Sequence, residues 1–128
     1  MIGVGLGVGL GLNASRAIAV PELLSGDVIL ARLRDDLPDW RVINGQSLAC
    51  TYQFDNFVEA IAFVNRLVEP AEAAAHHPDL TINYNRVALL LSTHDAGGLT
   101  ELDFRVAQAA RAATNPDGQP LTCLSNAL

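Results

Sequence analysis

The longest periodic stretch of the chain lies between Phe57 and Ala75, where Phe57, Ala60, Ile61, Val64, Leu67, Val68, Ala71 and Ala75 recur at helical intervals. With Asp55 or Asn56 available as the N-cap, this spacing predicts the long helix of the domain. Pro70 falls inside it, where it removes one backbone donor and crowds the preceding turn, so a kink or break is expected between Leu67 and Pro70. Pro78 ends the run.

The flanking segments alternate between the two periodicities. Upstream, Leu23, Leu24, Val28, Leu30, Ala31 and Leu33, with Glu22 at the start and Arg32 and Arg34 near the end, predict a helix from about Pro21 to Asp35. Pro38 breaks it. Trp40–Ile43 and Leu48–Gln53 read as two strands joined through Asn44-Gly45, a dipeptide that supplies positive φ to a tight hairpin. Downstream, Leu80–Asn85 and Val87–Thr93 read as two more strands, the second apolar on both faces and therefore central in a sheet. Gly97-Gly98 marks a sharp loop, Thr100 is a natural N-cap with Asp103 three residues on, and Leu102, Val106, Ala109, Ala110 and Ala113 carry a final helical stripe. Asn115-Pro116-Asp117-Gly118 stops it. Helix, two strands, helix, two strands, helix gives an α+β fold: a four-stranded antiparallel sheet with helices packed on one face.

A chain of 128 residues, half of them hydrophobic, fits one compact domain. The core domain is expected over residues 21–114, with a Gly-rich apolar extension at 1–20 and a mobile tail at 115–128. Residues Gly3–Gly11 alternate Gly with Val or Leu but hold no GxGxxG, because Val8 stands where the third glycine belongs. The same run is too short to span a bilayer as a helix, and it lacks the basic start of an export signal, although Ala17-Ile18-Ala19 follows it. Fourteen acidic residues against eight basic ones give a net charge of −6, which disfavours nucleic acid and anionic lipid as partners. All eight cations are Arg, so Schiff-base chemistry and a P-loop lysine are excluded. Cys50 and Cys123 lie far apart with no CxxC spacing, so neither a zinc site nor a redox pair is expected, and a reduced, cytoplasmic setting is the simplest reading.

Chemistry concentrates in one stretch. The chain has three histidines: His76 and His77 before Pro78, and His94 at the polar end of an apolar strand. A helix packed on the sheet would bring all three to one cleft. Imidazole titrates near neutrality, so several of them facing one ligand make a proton-transfer site that needs no cofactor. Glu72, four residues before His76, is placed to orient that imidazole, and Asp103 lies near the start of the last helix. HExxH and spaced-His metal patterns are absent, so no metal is expected; Ser92 lies two residues from His94 but lacks nucleophile-elbow glycines.

Glu72-x-x-x-His76-His77-Pro78, then Tyr84, His94 and Asp103, resembles the signature of the pterin-4a-carbinolamine dehydratases. Tyr84-Asn85-x-Val87, Ser92-Thr93-His94 and Gly98-Leu99-Thr100 extend the likeness from about Leu23 to Ala113. The resemblance implies a hydro-lyase that dehydrates 4a-hydroxytetrahydropterin to quinonoid dihydropterin, recycling the tetrahydrobiopterin used by aromatic amino acid hydroxylases. It implies that His76 and His94 form the acid/base pair, that His77 binds the pterin, and that Ala75, Ser92, Thr93 and Asp95 flank the ring. Glu72 and Asp103 would support the histidines from behind, Tyr84 would either pack or touch substrate, and Trp40 would belong to the core. A homodimer or homotetramer is also implied. Relatives that act as dimerisation or assembly partners give the alternative, a non-catalytic protein-binding module on the same fold.

Overall fold

A computed structural model describes residues 21–125. The expectations for the Gly-rich extension at 1–20 and for the last three residues lie outside the described residues. The elements are helix α1 (Gly26–Asp36), strands β1 (Arg41–Ile43) and β2 (Ser47–Gln53), helix α2 (Phe57–Ala74), strands β3 (Asp79–Asn83) and β4 (Arg86–Leu91), a 3-10 turn at His94–Ala96, and helix α3 (Glu101–Ala113). The sheet runs β1-β2-β4-β3 with every neighbouring pair antiparallel.

Period-two alternation builds the core. Leu48, Cys50 and Tyr52 of β2 register with Leu91, Leu89 and Val87 of β4, and all six are buried under the helices. Ala60, Phe63, Leu67, Ala71 and Ala74 of α2 and Phe104, Ala107 and Ala110 of α3 cover them. Strand β4 occupies the central place expected of it, although Leu90 on its other face is more than a third exposed. Trp40 is buried, as expected, and its indole N–H donates to the Tyr52 hydroxyl at 3.0 Å. Burial raises the Tyr52 pKa to about 12.

The turns are set by local chemistry. Asn44 and Gly45 both take positive φ, 53° and 70°, in the hairpin between β1 and β2. Asn85 holds the β3–β4 hairpin to the end of β2, donating from its side chain to the Phe54 carbonyl while its own carbonyl accepts from the Phe54 N–H, both at 2.8 Å.

Four expectations are corrected. Helix α1 starts at Gly26, not Pro21, because the Ser25 hydroxyl accepts from the Val28 N–H as N-cap and Leu24 donates its backbone N–H to Leu99. Helix α2 runs through Pro70 to Ala74 without a break, since a proline one turn from the end forfeits a single hydrogen bond that the flanking ladder outweighs. Cys50 and Cys123 form a disulfide with Cα atoms 5.5 Å apart, which withdraws the argument for a reduced setting. The segment after Thr114 is not a loose tail through Leu124. The Leu121 N–H donates to the Thr114 hydroxyl, Leu121 and Cys123 pack on the core, and the Leu124 N–H donates to Thr51 in β2. No helix among the described residues is long and apolar enough to cross a membrane.

Candidate active site

The end of α2 is turned by an alanine in the left-handed region. Ala75 takes φ 49°, with its N–H on the Glu72 carbonyl and the His76 N–H on the Ala71 carbonyl, a paired C-terminal cap that usually recruits glycine. The chain therefore leaves the helix before His76, and the i,i+4 relation of Glu72 to His76 is lost.

Across from it, β4 ends at Leu91 and the chain closes a tight loop. Thr93 and Gly98 exchange backbone hydrogen bonds, and Gly97 at φ 82° lets the loop reverse. That loop presents His94 and Asp95, both exposed, toward the end of α2. A cleft of about 300 Å³ lies between, lined by Ala75, His76, His77, Ser92, Thr93, His94 and Asp95. The three imidazoles therefore share one opening, of the size that small-molecule clefts begin at.

Two of the three histidines have a carboxylate, and each pairing differs from the expectation for Glu72. His76 Nε2 lies 2.6 Å from Asp103 Oδ1, and His77 Nε2 lies 2.6 Å from Glu72 Oε2. Glu72 thus serves His77, and Asp103 serves His76. Asp103 is fully buried on the first turn of α3, where its other oxygen accepts from the Thr100 N–H at 2.9 Å and the Thr93 hydroxyl at 2.7 Å. The same carboxylate completes the capping box of α3 and steadies the His76 ring. Ser92 donates its hydroxyl to the Gln46 carbonyl at 2.9 Å, so it is held by the β1–β2 turn and is no activated nucleophile.

Tyr84 does not join them. It sits exposed at φ 53° in the β3–β4 turn, at the opposite end of six-residue β4 from His94, about 20 Å away along the strand. Thr100 is a contributor that sequence reasoning placed only as a helix cap; its contact with Thr93, seven residues earlier, depends on the closure of the 93–98 loop and leaves no periodic signal. Among the described residues, no group of three or more His, Cys, Asp and Glu side chains could hold a metal ion.

This fold and cleft define the class of small α+β proteins to which the solved pterin dehydratases belong. A crystal structure of a transcriptional coactivator/pterin dehydratase from Brucella melitensis superposes with a TM-score of 0.68 at 30% identity, covering 72% of this chain and 98% of that one. A pterin dehydratase-like protein described as a RuBisCO assembly factor in the alpha-carboxysome shares the fold, with a TM-score of 0.51 at 20% identity over 60% of this chain and 90% of that one.

Within that class the chain belongs to the family described as pterin 4 alpha carbinolamine dehydratase, whose profile matches residues 22–113. A relative from Cyanothece sp., named provisionally as a pterin-4-alpha-carbinolamine dehydratase, is 54% identical over 87 residues, 68% of this chain and 88% of its own length. A similarly named protein of Thermomicrobium roseum is 55% identical over 82 residues, 64% of this chain and 87% of its own.

Proposed function

We propose that the protein dehydrates a 4a-hydroxytetrahydropterin to the quinonoid dihydropterin and water. The observation that carries this reading is the sharing of one cleft by His76, His77 and His94 beside Ala75 and the 92–95 loop. In the reaction the C4a–O bond breaks, the hydroxyl takes a proton and leaves as water, N5 loses its proton, and a C4a=N5 double bond forms. No electrons are exchanged, so an acid and a base suffice. His76 and His94 act as the acid/base pair at the hydroxyl, while His77 binds the pterin and assists at N5. Ala75, Ser92, Thr93 and Asp95 flank the ring, whose amide-like edge demands paired donors and acceptors. Glu72 and Asp103 act through the imidazoles they touch, and no metal or cofactor takes part.

The test follows the ultraviolet absorbance of freshly generated 4a-hydroxytetrahydropterin. Purified protein accelerates its loss above the spontaneous background, and a chelator leaves that acceleration unchanged. Traces no faster than buffer would sink the dehydratase reading.

The second reading, a protein-binding or assembly module on the same fold, is favoured by one feature. Phe57, Val58 and Val68 on α2 are 50%, 71% and 58% exposed, an apolar helix face of the kind that second copies or other proteins cover. A homodimer or homotetramer using this face is compatible with catalysis, so the two readings separate on the absorbance assay and not on oligomeric state.

A further inference from the structure

Thr93, expected among the residues that flank substrate, has its hydroxyl committed elsewhere. It donates to Asp103 Oδ2 at 2.7 Å, and its proton is thereby spent. The 2.8 Å contact between Thr93 Oγ1 and Thr100 Oγ1 must then be a donation from Thr100. Thr100 Oγ1 in turn accepts from the Leu102 N–H at 3.2 Å. Every proton in the chain Leu102, Thr100, Thr93, Asp103 points the same way, and Asp103 Oδ2 receives a further donor from the Thr100 N–H at 2.9 Å. An oxygen that receives two donors in a buried site is an acceptor. With Asp103 as the carboxylate, Oδ1 has no proton to give and accepts from His76 Nε2, and the neutral His76 ring then carries its proton on Nε2.

We propose that Thr93 and Thr100 are positioning residues: a one-way hydroxyl chain that, through Asp103, fixes His76 as the Nε2–H tautomer and leaves Nδ1 as the nitrogen that exchanges a proton in the cleft. Thr100 is fully buried and Thr93, which lines the cleft, is nearly so. A catalytic ring with the wrong tautomer offers the substrate a donor where an acceptor is needed. The rate consequence of this inference rests on the dehydratase reading; its tautomer consequence does not.

The experiment compares wild type, Thr93→Val and Thr93→Ser. Ring nitrogen chemical shifts of His76 are recorded about two units above the ordinary imidazole titration, together with kcat, KM and the thermal melt. Wild type and Thr93→Ser show the Nε2–H form. In Thr93→Val, the ring becomes a mixture of tautomers, and kcat falls about tenfold, part of the 10²–10⁴ range that acid/base catalysis supplies, while KM holds within about twofold. Thr93→Ser restores kcat. A wild-type His76 protonated on Nδ1 overturns the proposal whether or not any variant folds. So does a Thr93→Val protein that keeps both the wild-type spectrum and the wild-type kcat. A wild-type protein without turnover, but with the stated tautomer and its loss in Thr93→Val, upholds the hydroxyl chain and removes only the dehydratase reading.

Discussion

Two histidine–carboxylate pairs stand side by side at the end of α2, each with 2.6 Å between nitrogen and oxygen, and they are not equivalent. The side chains of His76 and Asp103 are 12% and 0% exposed, whereas those of His77 and Glu72 are 59% and 69% exposed. The buried carboxylate receives two further hydrogen bonds, from the Thr93 hydroxyl and from the Thr100 N–H that closes the α3 capping box; among the described residues Glu72 pairs with His77 alone. An ion pair open to water is screened and contributes about 0–1 kcal/mol. A buried one costs several kcal/mol when one member is removed, because the other is left unpaired. Contact distance alone therefore says little about which histidine is held for chemistry. The surroundings of the carboxylate decide it.

The comparison is broken most directly at Asp103. Asp103→Asn can keep an acceptor for the Thr93 and Thr100 donors only by turning its amide NH2 onto His76 Nε2, and we expect dehydratase activity to fall at least about a hundredfold with about 2 kcal/mol of stability lost in a denaturant melt. Full activity in that variant would make the two pairs equivalent after all. His94 sharpens the contrast from the other side, being an exposed imidazole that, among the described residues, forms no ion pair with a carboxylate. His94→Ala should cost about a hundredfold in rate and leave stability within about 0.5 kcal/mol; a collapsed melt would show it to be structural. Reduction of Cys50–Cys123 with dithiothreitol calibrates stability apart from chemistry. Opening a link across 73 residues should remove about 2–4 kcal/mol and lower the melting temperature markedly, while the rate at room temperature stays within about twofold. The smallest effect belongs to Glu72→Gln, expected within about twofold in rate and about 0.5 kcal/mol in stability.

Much of this architecture was legible because it follows from periodicity and local turn chemistry. The α2 stripe, the Asn44-Gly45 hairpin, the apolar β4 run and the Thr100–Asp103 cap each carry their signal within a few residues. The clustering of His76, His77 and His94 also showed in the sequence, and the structure brings them to one cleft. What escaped depends on contacts between distant segments or on backbone states with no residue signature. Ala75 carries no mark of its left-handed φ, so nothing revealed that Glu72 would meet His77. Cys50 and Cys123 gave no spacing motif, because the return of the C-terminal segment over β2 is a tertiary event. Pro21-Glu22 imitates a helix start more strongly than Ser25 does, and the competing extended pairing of Leu24 with Leu99 lies 75 residues away in sequence.

The capping box of α3 carries a consequence for how such a chain can drift. Enzymes commonly trade robustness against turnover, because working groups are held in arrangements the fold would prefer to relax. At Asp103 the carboxylate that starts a helix is the one that steadies an imidazole, so a mutation that weakens the helix start also misaims the ring. Selection for a durable fold and selection for proton transfer would then act on one atom group in the same direction, and neither could decay unnoticed by the other.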